Sequence, residues 1–67
     1  MTRVRLSELK EGKSRRKFNG RTYVLDSLYA WKQYAQQRAK ELRRKGWLVR
    51  VVYVAYFTWG VYKRRSD

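Results

Sequence analysis

The chain has no cysteine, no histidine and no proline, and only five acidic residues among its 67. Without cysteine there are no disulfides, iron–sulfur clusters or thiolate zinc sites, and the redox compartment stays open. The lack of histidine removes the usual transition-metal ligand and the commonest general base. The acids Glu8, Glu11, Asp26, Glu41 and Asp67 form no recognisable general acid–base pair. No glycine-rich phosphate loop or nucleophile elbow occurs, and no serine has a histidine partner. The expectation is a protein without enzymatic activity, cofactor or metal.

Long apolar runs are missing too. The longest uncharged stretch, residues 51–62, is about 12 residues against the ~20 of a transmembrane helix. The opening Met1-Thr2-Arg3-Val4-Arg5 leads into no apolar signal-peptide core. The expected location is cytoplasmic, on a nucleoid or within a viral nucleoprotein particle. Scarce thermolabile residues and charge-rich helices favour a hot-environment origin, archaeal or viral, although Gln33, Gln36 and Gln37 pull the other way.

What the chain has is positive charge: 18 Lys and Arg against five acids, a formal net charge of +13. Solubility of a small domain asks for a charge of only about 2–8. The excess repels itself in a compact state and points to a polyanionic partner, with DNA favoured over RNA. A chain this short buries only about 60% of the surface its unfolded form exposes, so one small core is expected.

Residues 1–13 read as an N-terminal arm, and residues 14–67 as a single α+β domain. Within the arm, Val4 and Leu6 alternate with Arg3 and Arg5, which fits a short edge strand or a frayed basic segment. Ser7 and Gly12 could bound one helical turn. Next, Asn19-Gly20 between β-compatible residues is the strongest short hairpin signal, because a type I′ turn needs positive φ at both positions. Strands are expected at about 14–18 and 21–25, the first a charged edge.

Asp26 or Ser27 is then expected to cap a helix running to about residue 45. At 100° per residue, Leu28, Trp31, Ala35, Ala39 and Leu42 share a stripe roughly 80° wide. Gly46 should end the helix in the left-handed conformation, with Arg43, Arg44 and Lys45 in its last turn, where the helix dipole favours cations. From Trp47 an aromatic, β-branched ribbon follows, with a turn somewhere in residues 55–58 and a return strand to Arg64. The sum is ββαββ, or βαββ if the first strand frays: one small antiparallel sheet with one long helix packed on one face. Trp47, Val49 and Val51 should face the helical stripe, and Leu48, Arg50, Val52 and Val54 should look away.

Four groups of cations are candidates for nucleic-acid contact. Arg15, Arg16, Lys17 and Arg21 cluster on the first hairpin, able to neutralise phosphates and release counterions. On the helix flank stand Lys32, Lys40, Arg43 and Arg44, beside Gln33 and Gln36, a set suited to phosphates or base edges. Arg50 is a lone charge on an apolar strand and the strongest candidate for an inserted side chain. Lys63, Arg64 and Arg65 should follow the backbone. In size, charge, lack of cysteine and aromatic ribbon the chain is similar to the small basic chromatin proteins of archaea, which bind duplex through a sheet face. Its hairpin-then-helix order also resembles the β-sheet DNA-reading domains of integrases and plant transcription factors.

The expected function is that of a chromatin-like or regulatory DNA-binding protein, gripping duplex mainly through phosphates with a sheet or helix element in a groove. An RNA-binding or ribosome-associated protein is the first alternative. The second is an interaction protein that forms a homodimer through the sheet face around Leu48, Val52 and Val54.

Overall fold

A computed structural model describes residues 9–65. The expectations for Val4, Leu6 and Ser7 lie outside the described residues. Four antiparallel strands and one helix follow one another as β1 (Arg15–Phe18), β2 (Arg21–Tyr29), α1 (Lys32–Arg44), β3 (Trp47–Ala55) and β4 (Thr58–Arg65). The class is α+β, with the four strands and one helix that the sequence leads one to expect.

In space the strands run β1-β2-β4-β3. The last strand inserts between β2 and β3, which therefore lie parallel, joined through α1 as a split β-α-β unit. Both β1 and β3 are edges, and the sheet is curled. Residues 10–14 are held to β2: Gly12 N–H donates to the Leu25 carbonyl at 2.6 Å, and Leu25 N–H to the Ser14 carbonyl at 2.8 Å.

The first hairpin turns at Asn19 and Gly20, with φ of 52° and 77°, the signs a type I′ turn requires. At the other end of α1, Gly46 has φ 94° and donates to the Arg43 carbonyl at 3.1 Å, closing the helix as expected. The start of α1 corrects the sequence expectation. Its N-cap is Trp31, which makes no capping side-chain hydrogen bond, and α1 begins at Lys32 rather than after Asp26 or Ser27. Those two residues belong to β2, which continues to pair with β4 through Ser27↔Val61, Leu28↔Gly60 and Tyr29↔Trp59. Cross-strand pairing outweighs the local capping preference, and Leu28 and Trp31 leave the helical stripe.

Val61 and Tyr62 are both buried. Adjacent strand residues point to opposite faces, so each side of the sheet carries its own buried cluster. On the Val61 side, Ala35, Ala39, Leu42, Val49 and Val61 pack together, with Trp47 and Val51 against them. On the other side, Tyr23, Leu25 and Tyr62 form a second cluster, flanked by Leu9, Phe18, Leu28 and Val52. Gly60 makes that packing fit. A Cβ there would sit 2.9 Å from Val54 Cγ2 and 3.0 Å from Tyr62 Cε1.

A register shift between Leu25 and Ser27 places a bulge at Asp26. Its carboxylate receives Arg38 in a fork, Nε at 2.9 Å and Nη2 at 3.3 Å, together with Lys63 Nζ at 2.9 Å and Ser27 Oγ at 2.8 Å. Burial alone would raise the Asp26 pKa, but the hydrogen bonds from Arg38, Lys63 and Ser27 hold it well below the usual carboxylate range. The same pairing raises the Arg38 pKa above its ordinary value.

The second hairpin closes differently. Tyr56 and Phe57 take φ of 50° and 58°, left-handed values at two bulky residues. Each such residue costs about 1–2 kcal/mol relative to its right-handed conformation. Two hydrogen bonds brace the turn, from Phe57 N–H to Tyr53 Oη at 2.9 Å and from Thr58 Oγ1 to the Tyr56 carbonyl at 3.3 Å.

Candidate nucleic-acid interface

The Tyr62 side of the sheet gathers arginines from three strands. Arg50 pairs with Tyr62, Tyr62 with Leu25, and Arg16 with Tyr23, so strand alternation sets Arg16, Arg50 and Arg64 on that side. Their contacts agree. The guanidinium carbons of Arg16 and Arg50 lie 5.3 Å and 6.0 Å from the centre of the Phe18 ring, and that of Arg64 lies 5.9 Å from Tyr23. Phe18 belongs to one edge strand and Arg50 to the other. The curl of the sheet thus brings its two edges together over Tyr23, Leu25 and Tyr62, which explains their burial.

Phe18 is the hub. Its ring meets Tyr23 edge-on at 5.2 Å and Tyr62 at 5.7 Å. Burial among these rings pushes the Tyr62 phenol above its ordinary pKa, and the nearby positive charge of Arg16 pulls the other way. An arginine laid over a ring keeps its charge and has less rotamer freedom left to lose when its N–H edge meets a phosphate.

Charge is distributed unequally between the two sides. Asp26 is the only acidic residue on the four strands, and it faces Lys63 and Arg38. Glu41 on α1 takes Arg38 at 3.0 Å and Lys45 at 3.5 Å. Among the described residues, Arg16, Arg50 and Arg64 have no carboxylate partner within ion-pair distance.

The remaining candidate cations fall into separate places. Arg15 and Lys17 alternate with Arg16 and face the other side of the first hairpin, while Arg21 sits just past its turn. Lys63 and Arg65 lie over the Trp47 ring at 4.6 Å and 4.9 Å, with Lys63 also bound to Asp26. Lys32 opens α1 and lies 5.2 Å from the Trp59 ring centre, whereas Lys40, Arg43 and Arg44 are exposed toward its other end. Arg43 additionally donates to the Val49 carbonyl at 3.3 Å.

The structure therefore brings Arg16, Arg50 and Arg64 into one site and leaves the helical cations outside it. Phe18 and Tyr23 were not among the sequence candidates. The available signal was Phe18 itself, an aromatic two residues after Arg16 on an otherwise charged strand. No protein-family model matches the chain, and no curated protein and no solved structure matches it either. Among the described residues no three acids gather into a metal-binding group, and no helix is long and apolar enough to cross a membrane.

Proposed function

We propose that this protein binds DNA, gripping backbone phosphates through Arg16, Arg50 and Arg64 on the Tyr62 side of its sheet. In this reading α1 covers the Val61 side and leaves the curled opposite side to the ligand. One observation carries it: three arginines from three strands, each stacked on a ring, share a face from which every strand carboxylate is absent. Arg21, paired with Phe18, extends the charge along the first hairpin. Lys63 acts inside the protein, neutralising Asp26, rather than on the ligand.

The contact is electrostatic at its base, so it releases counterions. Fluorescence anisotropy with a 20-base-pair duplex, repeated at several salt concentrations, tests it. Affinity should fall along a straight log–log line, and R16Q/R50Q/R64Q should flatten the slope by about 2.7, roughly 0.9 per lost phosphate contact. A slope unchanged by the triple substitution would exclude this face. Tighter binding to a matched RNA duplex would move the reading to RNA.

A further inference from the structure

We infer that the β3–β4 turn, with Tyr56 and Phe57 at its tip, is a stacking site for unpaired nucleobases. The inference rests on the DNA-binding reading and specifies the ligand further: DNA with unpaired bases near the phosphates that the arginines hold.

Tyr56 and Phe57 are 64% and 81% exposed, yet both occupy a left-handed backbone that glycine or asparagine would adopt far more easily. The first hairpin shows the easier solution in this same chain. A turn that is both strained and displays two bare rings is explained by what the rings meet. More rings surround the tip. Tyr53 lies edge-on to Trp59 at 5.3 Å and is half exposed. Trp59 pairs with Tyr29, and Trp31 follows two residues later, 66% exposed.

This end is also where the strands carry no cation. No cation follows Arg21 in β2 or Arg50 in β3, and none precedes Lys63 in β4. Lys32, over Trp59, is the cation that reaches it. From Arg50 to Tyr56 is six steps along β3, about 20 Å at ~3.4 Å per residue.

Three occupants fit exposed rings, and the layout separates them. An anionic membrane draws on a cluster of cations beside the inserted rings, but here Lys32 stands by itself at this end and the arginines sit about 20 Å away, well beyond the ~8 Å screening length at physiological salt. A second copy would meet end to end. The two rings at the tip, 64% and 81% exposed, offer roughly 300 Å² between them at ~150–250 Å² per aromatic side chain, well short of the ~800 Å² per partner of a stable interface. A nucleobase needs only one ring face, and stacking tolerates any sequence. A strand whose phosphates lie on Arg16, Arg50 and Arg64 can reach the tip within about six nucleotides at ~3.4 Å rise.

The test compares a blunt duplex with the same duplex carrying a six-nucleotide single-stranded overhang, at fixed salt, by anisotropy. The wild-type protein should prefer the overhang by about tenfold. Replacing the tip with the residues of the first turn, Y56N/F57G, should abolish that preference, leave blunt-duplex affinity unchanged and raise the urea midpoint. Trp31→Ser, which offers α1 a capping hydroxyl, should reduce the preference in part. Equal preference in wild type and both variants would overturn the inference while leaving the DNA-binding reading intact. Failure of the wild type to bind either DNA would end both. Tip-dependent binding to phosphatidylserine vesicles without any overhang preference would give the turn to membranes. A wild-type dimer that Y56N/F57G converts to monomer would give it to a second copy.

Discussion

The two sides of this sheet use cations in opposite ways. On the Val61 side, Arg38 and Lys63 converge on Asp26, a carboxylate whose side chain is 7% exposed. On the Tyr62 side, Arg16, Arg50 and Arg64 rest on aromatic rings with no carboxylate among the strand residues. The first arrangement satisfies charge internally and supports the fold. The second holds charge in place while leaving it unneutralised, which is what a ligand-facing surface needs. Net charge alone, +13 across the chain, conceals this division.

The largest effect should come from breaking the satisfied side. Asp26→Asn leaves Arg38 and Lys63 close together without their carboxylate, and losing the charged partner of this partly buried cluster costs about 2–3 kcal/mol. Urea unfolding followed by circular dichroism measures it. The pH dependence identifies the cause. Because the Asp26 pKa is depressed by folding, its stabilisation is fully present above its unfolded value near ~4 and is lost as pH falls below that toward the folded value. The stability of the wild type should therefore decline with acidification below about pH 4 more steeply than that of Asp26→Asn. Equal slopes would mean that Asp26 is not the group that titrates.

Asp26 is also where sequence and structure part. The pair Asp26-Ser27 carries a good local signal for a helix start, and Leu28 and Trp31 fall by angle into the stripe of Ala35, Ala39 and Leu42. Three pairings with β4, and an ion pair to Arg38 twelve residues away, favour strand instead. Such partners lie outside any local window. Asn19-Gly20 and Gly46 were legible because their conformations follow from their own side chains. The β3–β4 turn was legible in its location, within residues 55–58, but not in its conformation, because Tyr56 and Phe57 oppose the backbone they adopt. For the site, the sequence offers Arg16, Arg50 and Arg64, but scattered among nine other cations. Their grouping depends on the order β1-β2-β4-β3 and on the curl that brings Phe18 to Arg50, both products of non-local pairing.

A smaller effect should follow from disturbing the packing beneath the arginines. Gly60→Ala places a methyl group 2.9 Å from Val54 and 3.0 Å from Tyr62. Overpacking of this kind costs about 1–3 kcal/mol, set against the few tenths that removing a strand glycine returns. The net expectation is a loss of about 1–2 kcal/mol in urea unfolding. Since Tyr62 must shift, DNA affinity should fall as well. Unchanged stability would show that the Tyr62 side is looser than its burial suggests.

The smallest and most selective change separates charge from placement. Phe18→Leu keeps an apolar side chain on β1 but removes the ring that Arg16 and Arg50 share, a loss of about 0.5–1 kcal/mol for each stacked cation. Every positive charge remains. The salt slope of DNA binding should stay that of the wild type, while affinity drops by roughly twofold to fivefold for each of the two guanidinium groups that must now be ordered on binding. Arg50→Gln should do the converse and reduce the slope by about 0.9. If Phe18→Leu altered the slope, the ring would be controlling how many phosphates are touched. If it altered neither slope nor affinity, stacking would belong to the fold alone, and the distinction between the two sides of the sheet would rest on the position of Asp26.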